Sequence, residues 1–367
     1  MRVSLNSRWA RLQPIVVGGL LVGLFGCAGT PRPRPDEAEQ HFQRARALYE
    51  KGRYRNAVGE YRLATRVRED YPEAWLGIGL AYTKTGYFLG ARANYLKALS
   101  YRPDYAEAAY NLGRLYYEHN QDSEALQYLQ RAVEISEGYA RAHTALAAVH
   151  ERGGQDGLAE SAYRRAVELD SSDVSAHLNL GRLYQRTNRL DAAIEQYTLA
   201  IQSDSTHAAA YHNLALAYLE RGESERAVEA YEGVIRVDPR NPEWRYNLGV
   251  LHQRQHEQQK AKTAYREALQ LDSTYVEAWY NLALVCAEMR DVAAAIESYR
   301  RVIALDASRA EAHLNLAILL HESNQPGAAL AAYREYLRYG EDAGALDRVE
   351  TIVEQLEAAM PDSTTRR

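Results

Sequence analysis

The sequence predicts an all-α solenoid of nine 34-residue helical hairpins closed by one further helix. Three observations predict it. Alanine recurs every 34 residues, at Ala57, Ala91, Ala125, Ala159, Ala193, Ala227, Ala261, Ala295 and Ala329. Four residues after each stands a large side chain (Tyr61, Tyr95, Leu129, Tyr163, Tyr197, Tyr231, Tyr265, Tyr299, Tyr333), so a small and a large residue share one helix face. Units opening nineteen residues before each alanine run without insertion from Ala38 to Ala343, and their eighth residue is always Gly or Ala.

The first helix of each unit carries that eighth residue: Ala45, Gly79, Gly113, Ala147, Gly181, Ala215, Gly249, Ala283 or Ala317. A small residue there lets a second helix cross closely, and we expect it to face the repeated alanine, where a larger side chain would overpack by about 1–3 kcal/mol. The turn between the helices is glycine at Gly52, Gly86, Gly154 and Gly222 and asparagine at Asn120, Asn188 and Asn324, residues that accept left-handed helix ends. Units close on Arg102-Pro103, Asp238-Pro239, or the aspartates Asp170, Asp204, Asp272 and Asp306, expected to stop one helix and cap the next.

The 34-residue period, the helix of Trp75, Ile78, Gly79 and Tyr82, and then Ala91, Tyr95, Ala98 and Pro103 resemble a tetratricopeptide repeat. The resemblance covers residues 38–343 and implies a right-handed superhelical α-solenoid that binds protein or peptide partners. Residues 344–360 are expected to form a capping helix with Leu346, Val349, Ile352, Val353 and Leu356 inward, and 361–367 a disordered tail. Tyr336, in a slot that is Ala or Val in the other units, suits a last repeat whose neighbour is a cap.

Ahead of the array, Arg2, Arg8 and Arg11 precede an apolar run from Ile15 to Phe25, too short to span a bilayer comfortably. The run reads as an export signal over residues 1–26. Its end, Leu24-Phe25-Gly26-Cys27, resembles the lipobox of bacterial lipoproteins, which implies cleavage before Cys27 and acylation of that residue. Residues 27–37 form a Pro/Arg-rich tether, extended through Pro31, Pro33 and Pro35. In lipoproteins of diderm bacteria an aspartate after the cysteine implies inner-membrane retention; Ala28 stands there instead, so for a diderm host the resemblance implies the outer membrane, facing the periplasm.

The net charge is −5, and loss of residues 1–26 leaves 41 basic against 49 acidic residues, which disfavours nucleic acid as a partner. No phosphate loop, Cys-x-x-Cys pair or serine elbow interrupts the register, so no catalytic residue, cofactor or metal is expected. His252 and His256 have the i, i+4 spacing of metal ligands but lack an HExxH glutamate. His41, His143, His177 and His313 stand where other units carry Trp or Tyr and read as packing residues; Cys286 reads as an inert core thiol at a position usually tyrosine.

In tetratricopeptide arrays the first helices line the concave face, here through positions 2, 5, 6, 9, 12 and 13 of each unit. Position 6 is Asn111 and then, in five consecutive units, Asn179, Asn213, Asn247, Asn281 and Asn315. A primary amide can donate to and accept from the backbone of an extended peptide, and the series resembles the asparagine ladder of peptide-binding arrays. Leu216, Val250 and Leu284 at position 9, with Tyr246 and Tyr280 at position 5, make this part of the face mainly apolar. Earlier units carry Arg46, Arg114 and Arg182 beside Glu39, Glu73 and Glu107, a mixed charged face.

The expected function is a membrane-anchored interaction scaffold in the cell envelope that holds a protein or extended peptide on the concave face. The competing reading is a structural or oligomerising spacer with no dedicated groove.

Overall fold

A computed structural model of the chain describes residues 35–359. The export segment, Cys27, the tether up to residue 34 and the 361–367 tail lie outside the described residues. Among the described residues there are nineteen α-helices and no strand, and none of the helices is long and apolar enough to cross a membrane. They form two compact units, divided between Tyr101 and Arg102.

In the first unit α1 (Pro35–Glu50) pairs with α2 (Tyr54–Val67), and α3 (Pro72–Lys84) with α4 (Phe88–Tyr101). The helix α1 begins three residues ahead of the repeat boundary at Ala38, within the stretch assigned to the tether. Proline is accepted there because the first turn needs no N–H from it.

The second unit continues the alternation. Its hairpins are α5 (Ala106–Glu118) with α6 (Asp122–Ile135), α7 (Ala140–Arg152) with α8 (Asp156–Leu169), and α9 (Val174–Arg186) with α10 (Leu190–Ser203). Next come α11 (Ala208–Glu220) with α12 (Ser224–Val237), and α13 (Pro242–Arg254) with α14 (Gln258–Leu271). The last are α15 (Val276–Glu288) with α16 (Val292–Leu305), and α17 (Ala310–Glu322) with α18 (Pro326–Tyr339), followed by α19 (Ala343–Ala359). The helix α19 buries Val349, Val353 and Leu356 in one cluster with Tyr336, while Leu346 and Ile352 pack at its margin.

The repeated alanines are fully buried, and beside them lie the large residues four positions on, such as Tyr95, Tyr163, Tyr197, Tyr265 and Tyr299. Where the eighth residue is glycine, however, its nearest neighbour is that large side chain and not the alanine. A Cβ on Gly181 would stand 2.5 Å from the Tyr197 ring, one on Gly249 2.6 Å from Tyr265, and one on Gly113 2.7 Å from Leu129. The small residue makes room for a side chain laid against the first helix, so both small positions serve the same residue.

Each hairpin turns through one residue with positive φ. Seven are the glycines and asparagines expected; the other two are His256 at 59° and Arg290 at 61°. Both keep the same helix-ending bond, Glu257 N–H to His252 C=O at 2.9 Å and Asp291 N–H to Cys286 C=O at 2.8 Å, so the hairpin geometry holds the turn without glycine or asparagine.

Two expectations about local chemistry change. Asp170, Asp204, Asp272 and Asp306 do not cap the following helix: each folds onto the backbone N–H and hydroxyl two residues on, as Asp204 does to Thr206 at 2.8 and 2.6 Å. A short side chain at a helix end reaches the i+2 amide before the next helix begins, and the cap of α9 is Asp173 instead. The fourth-position histidines also do more than pack. His143, His177 and His313 donate from Nε2 to the carbonyl six residues earlier at 3.0–3.1 Å, as do Trp75 and Trp279 at 2.7 and 2.9 Å and Arg245 at 2.6 Å. What these residue types share is an N–H at the end of a flat or long side chain, which ties the inter-hairpin turn to the next helix.

Candidate functional site

The five asparagines stand one per first helix on α9, α11, α13, α15 and α17, and all are half-buried. They divide into two kinds. The Asn281 amide donates to the Tyr246 hydroxyl at 3.1 Å, and Asn315 to Tyr280 at 3.2 Å, each across 35 residues to the preceding hairpin. Among the described residues the side-chain amides of Asn179, Asn213 and Asn247 make no hydrogen bond. The reason is the partner: one hairpin back, position 5 offers Thr144, Leu178 and His212 instead of tyrosine. A tyrosine followed 35 residues later by asparagine was therefore the signal that identifies a tied amide. In Asn281 and Asn315 the amide oxygen and one of the two N–H groups stay available.

The tyrosines are firmly placed. Tyr246 packs against Tyr265 and Tyr275 at ring distances of 5.8 and 4.9 Å; Tyr280 packs against Tyr299 at 5.9 Å and under the Arg309 guanidinium at 4.6 Å. Burial pushes both phenols above the ordinary tyrosine value, so they remain neutral and hold the amide–hydroxyl bonds at any physiological pH.

Beside the amides, Leu216 is half-buried, and Val250 and Leu284 lie at the margins of two core clusters. Their packing role and an apolar lining coexist, since part of each side chain faces out. Sequence reasoning gave no role to His212, adjacent to Asn213. Its ring lies 5.0 Å from Trp244, its Nδ1 is buried without a partner, and burial pushes the imidazole below its usual range. Neutral at pH 7, it extends the apolar lining beside the untied amides.

Positions 12 and 13 drop out of the expected stripe. The core tyrosines reach position 12 of their own hairpin: Tyr163 donates to Glu151 at 3.0 Å, Tyr197 to Gln185 at 2.8 Å and Tyr265 to Gln253 at 2.8 Å. Position 13 builds the hairpin edge. Arg152 at the end of α7 meets Asp122 at the start of α6 at 2.9 Å, and Arg186 at the end of α9 meets Asp156 at the start of α8 at 2.7 Å. Cation and anion each sit at the helix end whose dipole favours them. The hydrogen bond from Arg186 holds the Asp156 carboxyl below its usual range.

Some of the charged side chains of the face are likewise paired within the chain. Arg114 meets Glu118 at 2.9 Å, and Arg182 lies 4.0 Å from Glu151. In the first unit Glu39 accepts from Tyr71 at 2.6 Å and Gln43 at 2.7 Å, which lowers its pKa through the Tyr71 bond first. Of the one-face histidine pair, His252 Nδ1 is engaged by Glu257 at 2.7 Å and His256 sits in the positive-φ turn; no group of three His, Cys, Asp or Glu that could hold a metal occurs among the described residues.

Stacked hairpins of this length, with a small residue under each core tyrosine, define a helical-repeat scaffold. A tetratricopeptide repeat profile matches residues 144–208, 212–275, 251–308 and 280–345, more than half of the chain. Two further profiles, a TPR repeat over 45–86 and a tetratricopeptide repeat over 70–138, match upstream. The chain belongs to the tetratricopeptide repeat family, whose arrays are protein-interaction scaffolds.

No curated protein matches the chain. Among solved structures it is similar to PilW, a widely conserved type IV pilus biogenesis factor, at 21% identity over 55% of this chain and 94% of PilW, with a TM-score of 0.50. It is also similar to PilF of Pseudomonas aeruginosa (22% identity, 59% of this chain and 97% of PilF, TM-score 0.45). A third is YrrB, a TPR protein with an unusual peptide-binding site (24% identity, 49% of this chain and 92% of YrrB, TM-score 0.41). These likenesses concern the fold.

Proposed function

We propose that the chain is a lipid-anchored scaffold of the bacterial envelope that holds an extended, largely apolar peptide segment of a partner protein along α9–α17. The observation that carries the reading is the contrast among the asparagines. Asn179, Asn213 and Asn247 stand half-buried with unused donors and acceptors, next to Leu216, Val250 and the neutral His212 ring. An extended backbone offers an N–H and a C=O at regular spacing, the pair of groups an untied primary amide can answer. The tied amides Asn281 and Asn315 fix the ring walls at the other end and contribute acceptor oxygens.

The anchor rests on the sequence Leu24-Phe25-Gly26-Cys27, and an outer-membrane, periplasm-facing location on Ala28. Acylation of Cys27 would supply the membrane attachment through its lipid chains. Metabolic labelling with a fatty-acid analogue tests the anchor: label lost in Cys27→Ser is expected, and label retained there sinks it. Crosslinking and mass spectrometry of native membranes tests the groove, comparing wild type with Asn213→Ala/Asn247→Ala. Partners captured by wild type alone support the groove and name the pathway; an identical set in both moves the binding surface elsewhere.

A further inference from the structure

Position 11 of the nine units is tyrosine at Tyr82, Tyr116, Tyr184 and Tyr218, histidine at His150 and His252, leucine at Leu48 and Leu320, and cysteine at Cys286. Where the residue is tyrosine, an arginine on the preceding second helix can meet its hydroxyl. Arg62 donates to Tyr82 at 2.7 Å and Arg164 to Tyr184 at 2.9 Å, both across 20 residues. Twenty residues before Cys286 stands Arg266. The α14–α15 junction thus keeps the arginine and lacks the ring.

A cavity of about 330 Å³ occupies that junction, lined among others by Arg266, Leu269, Trp279, Leu282, Cys286 and Ser298. Its size falls at the lower end of small-ligand sites, about 300–1,000 Å³. Cys286 is fully buried at the floor, whereas Arg266 is exposed and makes no hydrogen bond or ion pair among the described residues. The Trp279 indole is held in place by its bond to the Ser273 carbonyl at 2.9 Å, so one wall is a fixed aromatic surface. At α16–α17, where Arg300 again stands twenty residues earlier, the slot holds Leu320, which is buried. Cysteine is the smallest of the nine residues at this position.

We propose that this cavity binds a phenolic ring, with the ring against Trp279, Leu269 and Leu282 and its oxygen accepting from the Arg266 guanidinium. The ligand supplies from outside the arginine–phenol contact that other hairpins make internally. A free phenol and a tyrosine side chain of a polypeptide share this chemistry. The site shares α15 with Asn281 but uses the face of Trp279, Leu282 and Cys286, none of them a groove residue, so it stands or falls independently of the groove.

The test is titration of the purified full chain with p-cresol and with N-acetyl-tyrosinamide, followed by ligand-observed NMR. Binding of p-cresol is expected, with loss of at least about tenfold in affinity in Arg266→Leu, the scale of one hydrogen bond to a charged donor. Toluene, which has no oxygen, should bind both proteins alike. Cys286→Tyr, which supplies the ring from within, should abolish binding. If that variant misfolds by circular dichroism, Cys286→Leu takes its place, using the side chain of Leu320. Comparable binding of N-acetyl-tyrosinamide would assign the site to a tyrosine side chain, and binding of p-cresol alone to a free phenol. Failure of both ligands to bind, or unchanged binding in the folded Cys286 variant, overturns the proposal.

Discussion

Within the second unit, α5–α10 and α11–α18 share one backbone plan and use their first-helix faces in opposite ways. In α5–α10 Arg114 pairs with Glu118, Arg152 with Asp122 and Arg186 with Asp156, and only Asn179 on α9 offers an untied amide. In α11–α18 positions 5, 6 and 9 carry neutral amides, phenols, an imidazole and aliphatic side chains, flanked by Glu243, Glu277 and Glu311 at position 2, and the hydrogen-bonding capacity of the amides is left partly unused. Exposed ion pairs each contribute about 0–1 kcal/mol and neutralise one another, so the charged stretch presents little that a ligand could claim. A half-buried amide without a partner keeps its capacity in a less polar setting, where a hydrogen bond counts for more. Function thus follows from which polar groups the fold leaves unpaired.

The largest expected effect tests whether the two stretches have the same interior. Gly181→Leu and Gly249→Leu each force a side chain into a core tyrosine and should each cost about 3 kcal/mol, at the upper end of overpacking. Urea denaturation measures both; clearly unequal losses would mean the cores differ, and the contrast between faces would no longer be one of surface chemistry alone.

Next comes partner capture. Removing two untied amides in Asn213→Ala/Asn247→Ala should weaken it by about thirtyfold, two hydrogen bonds of about 1 kcal/mol each. Arg182→Ala/Arg186→Ala should leave capture unchanged; a loss of capture there with the asparagine variant intact would reverse the assignment of the two faces.

A smaller effect sharpens the comparison inside the core. Tyr197→Phe removes a hydroxyl bonded to Gln185 and should cost about 1 kcal/mol. Tyr231→Phe, whose hydroxyl makes no hydrogen bond among the described residues and whose position-12 neighbour is Leu219, should be close to neutral by thermal denaturation.

The smallest concerns the charged edge. Because Arg186 lowers the folded-state pKa of Asp156, its contribution is present above the unfolded value and lost as pH falls through the folded one. Acid titration of stability below about pH 4 should therefore be shallower in Asp156→Asn than in wild type, with the difference reduced by added salt.

Much of this was legible beforehand for a physical reason. A 34-residue period repeated nine times averages over local ambiguity, so helix pairs, small positions and seven of the nine turn residues were readable from spacing. The other two turns, at His256 and Arg290, carry no preferred residue; the closed hairpin imposes the conformation on them. The candidate site was readable as a stripe of residue types but not as a set of available groups, because availability depends on a partner one hairpin away. Asn281 and Asn247 are the same residue at the same position, and only Tyr246 behind the former and His212 behind the latter separate them.

Sequence alone determined the hairpin, its length, its small-under-large core and the family, since these are set by contacts that recur at fixed spacing along the chain. Tertiary structure decided which side chains those contacts consume. It bonded the core tyrosines to position 12, turned Asp170 and its counterparts onto their own loops, tied two asparagines and left three untied, and left Arg266 beside a cavity with no phenol in it. Hydrogen bonds are short and directional, so whether a polar group is spent or free is set by neighbours brought within about 3 Å by folding.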